Sequence, residues 1–169
     1  MKKSFFSLIV FLLLASVCIS QTPNFNAFVD KYKGKSNVSH VNLDGWIVRL
    51  GGKFIEKDNV NNLDLSVLFK GIEYLNLLVF DDKAESPSPE DVSELLESAH
   101  RSKFEDLAIV RSGKQRVNIL IQETNNVVHD ILFVVSGREK SNNSRVFLNL
   151  KGDFAMSDIN RMIKNAEKN

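Results

Sequence analysis

Four strand-like segments succeed one another between Leu107 and Leu150 with only short polar connections, and that order leaves few folds open. In the second segment, residues 116–123, Val117, Ile119 and Ile121 alternate with Arg116, Asn118 and Gln122, the period of a strand with one apolar face. Ser112-Gly113-Lys114 marks the turn before it from a first strand at 107–111. Asn125-Asn126 marks the turn after it, because Asn tolerates positive φ. The third segment, 127–136, is longer and mostly apolar, which predicts a central strand. After a polar loop at 137–143, Val146, Leu148 and Leu150 face the core from a fourth. Parallel neighbours need crossovers of a dozen or more residues, so connections this short predict an antiparallel meander.

Helical patterns occupy the flanks. Phe25, Phe28, Val29 and Tyr32 recur at helical spacing and predict a helix over 24–33 that ends at Gly34. A short strand is expected at 37–43. Residues 45–54 are ambiguous: Trp46, Ile47 and Leu50 fit one helical face, but Gly51-Gly52 interrupts it. Leu65, Leu68, Phe69 and Ile72 form a further stripe, with Asn62 or Asp64 as its cap. It feeds the apolar run 74–80, which reads as a strand covered on both faces, in an α-β unit at the centre of the sheet. Ser86-Pro87-Ser88-Pro89 breaks the chain and then starts a helix, with Ser88 as N-cap, Pro89 at the first helical position and Glu90 and Asp91 at the positive dipole end. Val92, Leu95, Leu96 and Ala99 are its inward stripe, and His100, Arg101 and Lys103 suit its negative end. Ser157 is read as the cap of a last helix with Ile159, Met162, Ile163 and Ala166 inward. The expected fold class is α+β: an antiparallel-rich sheet of about five to six strands with helices packed mainly on one face.

The chain opens with Lys2 and Lys3, an apolar stretch at 5–17, and Cys18-Ile19-Ser20. This is the three-part pattern of an export signal, residues 1–20, cut between Ser20 and Gln21. The stretch falls short of the roughly 20 apolar residues of a transmembrane helix. What remains, 21–169, is read as a single domain in a secreted or periplasmic protein. The alternative is a lipoprotein anchored at the outer membrane through Cys18, where the bulky Val17 departs from the usual small residue. Membrane contact is expected only with that lipidation. Cleavage removes the only cysteine, excluding disulfides, and changes the formal charge from +1 to −1. A near-neutral chain gives no electrostatic basis for binding nucleic acid, and a monomer is expected. Asn37-Val38-Ser39 and Asn142-Asn143-Ser144 are sequons.

Reactive chemistry is sparse. His40, His100 and His129 lack metal-ligand spacing, and His129-Asp130, being strand neighbours, point to opposite faces. The acidic group Asp81, Asp82, Glu85, Glu90 and Asp91 lacks the spacing of a calcium loop. There is no G-x-S-x-G elbow, and Gly51-Gly52-Lys53 lacks the spacing of a phosphate loop. No catalytic, cofactor-binding or metal-binding residue is assigned, and no cofactor is expected. Trp46, beside Gly45, is the candidate partner contact.

Several segments carry a resemblance. Phe25-x-x-Phe28-Val29-x-x-Tyr32 with Val38 and Val41, Tyr74-Leu75 ahead of the apolar run, Phe104-Glu105-Asp106-Leu107, and Leu148-Asn149-Leu150-Lys151-Gly152-Asp153-Phe154 before the helix of Ile159, Met162 and Ile163 resemble an exported bacterial family. It is catalogued as a domain of unknown function, DUF4252. The resemblance implies export, an α+β fold and a setting in cell-envelope signalling, and offers no catalytic residues to carry over. The function expected is that of a non-enzymatic envelope protein binding a protein or peptide partner. Two alternatives stay open: a hydrolase or carbohydrate-active enzyme using carboxylates assembled by the fold, or a carrier of small apolar ligands.

Overall fold

A computed structural model describes residues 25–55, 66–113, 115–137 and 145–166. Cys18, Ser20, Gln21, Asn62, Asp64 and the second sequon lie outside them. The elements are α1 (Phe25–Tyr32), β1 (Val38–Asp44), α2 (Gly45–Ile55), α3 (Ser66–Gly71), β2 (Ile72–Phe80), α4 (Pro89–Arg101), β3 (Glu105–Ser112), β4 (Gln115–Thr124), β5 (Val127–Gly137), β6 (Arg145–Ala155) and α5 (Met156–Ala166). The strands form one sheet in the order β1-β2-β6-β5-β4-β3. Every neighbouring pair is antiparallel. The fold is α+β, as the sequence predicts.

Local chemistry explains the meander. Asn125 and Asn126 both take positive φ, 54° and 64°, which gives the two-residue turn whose twist matches a hairpin. Gly113, at φ 56°, turns β3 into β4. The long apolar strand β5 lies at the centre beside β6, while β2 lies one strand in from the β1 edge rather than at the centre. The ambiguous segment is resolved as helix α2, and Ile72 opens β2 instead of closing the helix before it. Gly152 lies within β6. Its φ is 157°, and a Cβ there would lie 1.9 Å from the carbonyl oxygen of Gly71. A bare backbone at Gly152 therefore lets the chain pass from α3 into β2 against β6. Helix α5 starts at Met156, so Ser157 sits within its first turn and is not its cap.

Helix α4 forms as its sequence dictates. Ser88 Oγ accepts a hydrogen bond from the Asp91 amide at 3.1 Å, and Pro89 and the acidic first turn follow.

The helices do not keep mainly to one face. Leu120 and Leu132 pack in one core with α1 and α4, alongside Leu78, Phe80, Val134 and Phe147. Their chain neighbours Ile121 and Ile131 pack in a second core with Val48 of α2, Phe69 of α3, and Met156 and Ile159 of α5. Adjacent strand residues point to opposite faces, so the two cores lie on opposite sides of the sheet. A central strand such as β5, apolar in both parities at Ile131, Leu132, Phe133 and Val134, needs a cover on each side. An aromatic cluster ties α1 to the sheet: Phe28 lies 4.7 Å from Phe147, Tyr32 lies 5.3 Å from Phe80, and Phe80 lies 5.6 Å from Phe147.

Candidate functional site

Helix α2 follows β1 without a loop, and its position is fixed at its start. A Cβ on Gly45 would lie 2.0 Å from the Ile72 carbonyl oxygen, and Arg49 Nη1 donates to that same oxygen at 2.7 Å. With the helix held there, Val48 is the side chain that enters the core, at 7% exposure. At 100° per residue, Trp46 and Leu50 then fall opposite Val48, and Ile47 on the flank between them. They are 58%, 37% and 49% exposed. The apolar face that the sequence pattern picks out is real, but it looks outward. Val41 of β1, also exposed, lies on the sheet face that α2 covers, beside Leu77 of β2. Fully burying an Ile or Leu side chain stabilises by about 1.5–3 kcal/mol, so a helix that leaves three large apolar residues in water forgoes several kcal/mol.

The opposite face carries polar side chains among its apolar ones. His40 Nε2 lies 2.9 Å from Asn76 Oδ1, and Asn76 Nδ2 donates to Asn26 of α1 at 3.5 Å. Buried Asn149 donates to Asp130 and to the Ile131 carbonyl, and Lys151 Nζ lies 3.7 Å from the same carboxylate. Burial pushes the Asp130 carboxyl above the usual range, while Asn149 and Lys151 act against that shift. Gln122 Nε2 donates to the Ser102 carbonyl at 3.0 Å. These contacts give the polar groups partners within the packing.

A shallow cleft between α1 and α4, of about 150 Å³, is lined by Ala27, Phe28, Lys31, Asp91, Glu94 and Leu95. That is below the roughly 300 Å³ at which small-molecule sites begin. Its carboxylate Asp91 is engaged: Lys31 and Tyr32 both donate to it and hold it below the usual range. The Tyr32 hydroxyl is pushed up to about 12, first by burial and then by this bond.

His129 is exposed and Asp130 buried, so they diverge as strand neighbours must. His129 Nδ1 instead meets Asp153 at 2.8 Å across the sheet, a contact that sequence spacing does not reveal. His100 ends α4 and lies 3.4 Å from Asp106. Among the described residues, no group of three or more His, Cys, Asp and Glu is placed to hold a metal ion. The partner-contact candidate Trp46 falls within the described residues, and the structure adds Ile47 and Leu50 of the same helix as exposed apolar side chains. Ser20, Gln21 and Cys18 lie outside the described residues.

The model of the family described as Domain of unknown function (DUF4252) matches residues 32–162. No curated protein and no solved structure matches the chain.

Proposed function

The chain belongs to the DUF4252 family, and we propose that it is a non-enzymatic binding module of the cell envelope that holds a protein or peptide partner against the outward face of α2. The observation that supports this reading is the exposure of Trp46 and Leu50 on the side of α2 opposite Val48, with Ile47 exposed on the flank. Rigid aromatic and aliphatic side chains presented together on a helix anchored at its base are the chemistry of a binding hot spot. Among the described residues β1 is an end strand of the sheet, and an edge of this kind beside the helix suits addition of an extended segment. The sequence at 1–20 supports export, with a cut between Ser20 and Gln21, to a secreted or periplasmic location. Mass spectrometry of the mature chain tests the address: an N-terminus at Gln21 supports it, and a lipid on Cys18 replaces it with an outer-membrane anchor.

The binding reading is tested by capture from the native envelope with two baits, the wild-type chain and a Trp46→Ser, Leu50→Ser variant of unchanged far-ultraviolet dichroism. A partner retained by the first and lost by the second supports the reading. Equal retention by both refutes it.

A further inference from the structure

We propose that a second copy of this chain docks on the open edge of β3 and extends the sheet antiparallel across a two-fold axis at Ile109. The inference rests on β3 and is independent of the α2 reading. Among the described residues, strand β3 pairs with β4 on one side only, and on this edge Ile109 and Val110 are 44% and 54% exposed. The other edge strand, β1, shows mainly polar residues, Ser39, His40 and Asn42, beside Val41. An uncharged aliphatic stretch on an open edge is a template for strand addition.

The register is selected by charge. Asp106 lies opposite Leu120, Ile109 opposite Asn118, and Arg111 opposite Arg116, with an irregularity between Asp106 and Ala108 that leaves Leu107 out of the pairing. Leu120 and Asn118 share one face, so Asp106, Ile109 and Arg111 share it too. Ala108 and Val110 take the other. A two-fold axis perpendicular to the sheet must pair residues of the same face. With Ile109 on the axis, Ala108 meets Val110 of the second copy, and Asp106 meets its Arg111, twice by symmetry. Placing Val110 or Ala108 on the axis opposes no acid to a base. A further observation points the same way. Arg111 and Arg116 are directly opposed across the strand pair, and like charges so placed repel. A carboxylate arriving beside Arg111 relieves that repulsion.

Sedimentation of the purified exported protein over a range of concentrations tests the proposal. The wild type is expected to show a monomer–dimer equilibrium, and Asp106→Arg and Arg111→Asp each weaken it at least tenfold. Both positions are exposed, and retained far-ultraviolet dichroism checks the fold. Mixing the two variants is the decisive arm. The arginine introduced into one copy then faces the aspartate introduced into the other, and the native Arg111 of the first faces the native Asp106 of the second. Recovery of dimer in the mixture alone supports the proposal. A wild type that stays monomeric over the range overturns it, whether or not it takes up an extended peptide on this edge, and so does a dimer insensitive to both substitutions.

Discussion

Two readings of α2 give opposite orders of stability for two substitutions in one helix. If Trp46, Ile47 and Leu50 formed the buried face, Leu50→Ser would be the damaging change and Val48→Ser the mild one. The structure reverses this. Val48 is 7% exposed and packs in the second core, so Val48→Ser loses about 1.5–3 kcal/mol of transfer energy. It also leaves a hydroxyl in an apolar site, at about 1–3 kcal/mol more unless it finds a partner. Leu50, 49% exposed, has gained only half its transfer energy, so Leu50→Ser costs about 1 kcal/mol. Helix propensity barely separates Val from Ser, so it does not blur the comparison. In urea, with a slope of about 1.5 kcal/mol per molar, the midpoint falls by about 2–4 M for Val48→Ser, the lower end if the hydroxyl finds a partner, and by under about 1 M for Leu50→Ser. Trp46 is the only tryptophan, so its emission reports this helix alone. It should be red-shifted and open to iodide quenching in the native protein. A Leu50→Ser variant as destabilised as Val48→Ser, or a blue-shifted and protected Trp46, refutes the outward assignment and the binding face with it.

Other contacts give further expectations. Phe147→Ala removes a fully buried ring that touches Phe28 and Phe80; a loss of about 3–5 kcal/mol, read from thermal unfolding, is expected. Ser88→Ala deletes the α4 cap and should cost about 1 kcal/mol in denaturant unfolding. Asp130 has a raised pKa in the folded state, so from about pH 4 upward the native protein binds more protons than the unfolded chain, and this group's contribution to stability falls until the folded pKa is passed. Asp130→Asn keeps an acceptor for Asn149 and lacks that decline, so its stability relative to wild type should rise across the window; a flat difference from pH 4 to 8 contradicts the assignment.

Much of the fold was legible because its signals are local. The Asn125-Asn126 turn, the Ser88-Pro89 start of α4 and the alternation in β4 each depend on residues within one turn or one strand, and all three stand in the structure. What escaped depends on contacts distant in sequence. Two cores rather than one follow from which parity of β5 meets which helix. The orientation of α2 was illegible for the same reason. Its apolar stripe has the right spacing, but the fit of Gly45 and Arg49 on Ile72, 23 residues beyond Arg49, decides which side faces inward. The close approach of Gly152 to Gly71 was illegible too, because nothing in either segment names the other.

The two proposed surfaces occupy opposite ends of the strand order, α2 beside β1 and the self-pairing edge at β3. Pairing through β3 would therefore leave both α2 faces free. A continuous sheet of two copies would separate its outer strands by about 50 Å, at roughly 4.8 Å per strand step. Such a dimer holds two identical contacts at a fixed spacing, which favours a partner presented in repeated copies. Once one contact is made, the second forms at a high effective concentration, and apparent affinity rises by about 10²–10⁴ where the spacing fits. Once a partner has been identified, Asp106→Arg should leave its monovalent binding unchanged and lower retention on a surface displaying that partner densely. A variant that loses monovalent binding as well would show the two surfaces to be coupled, and that would remove the basis for treating β3 as a pure assembly edge.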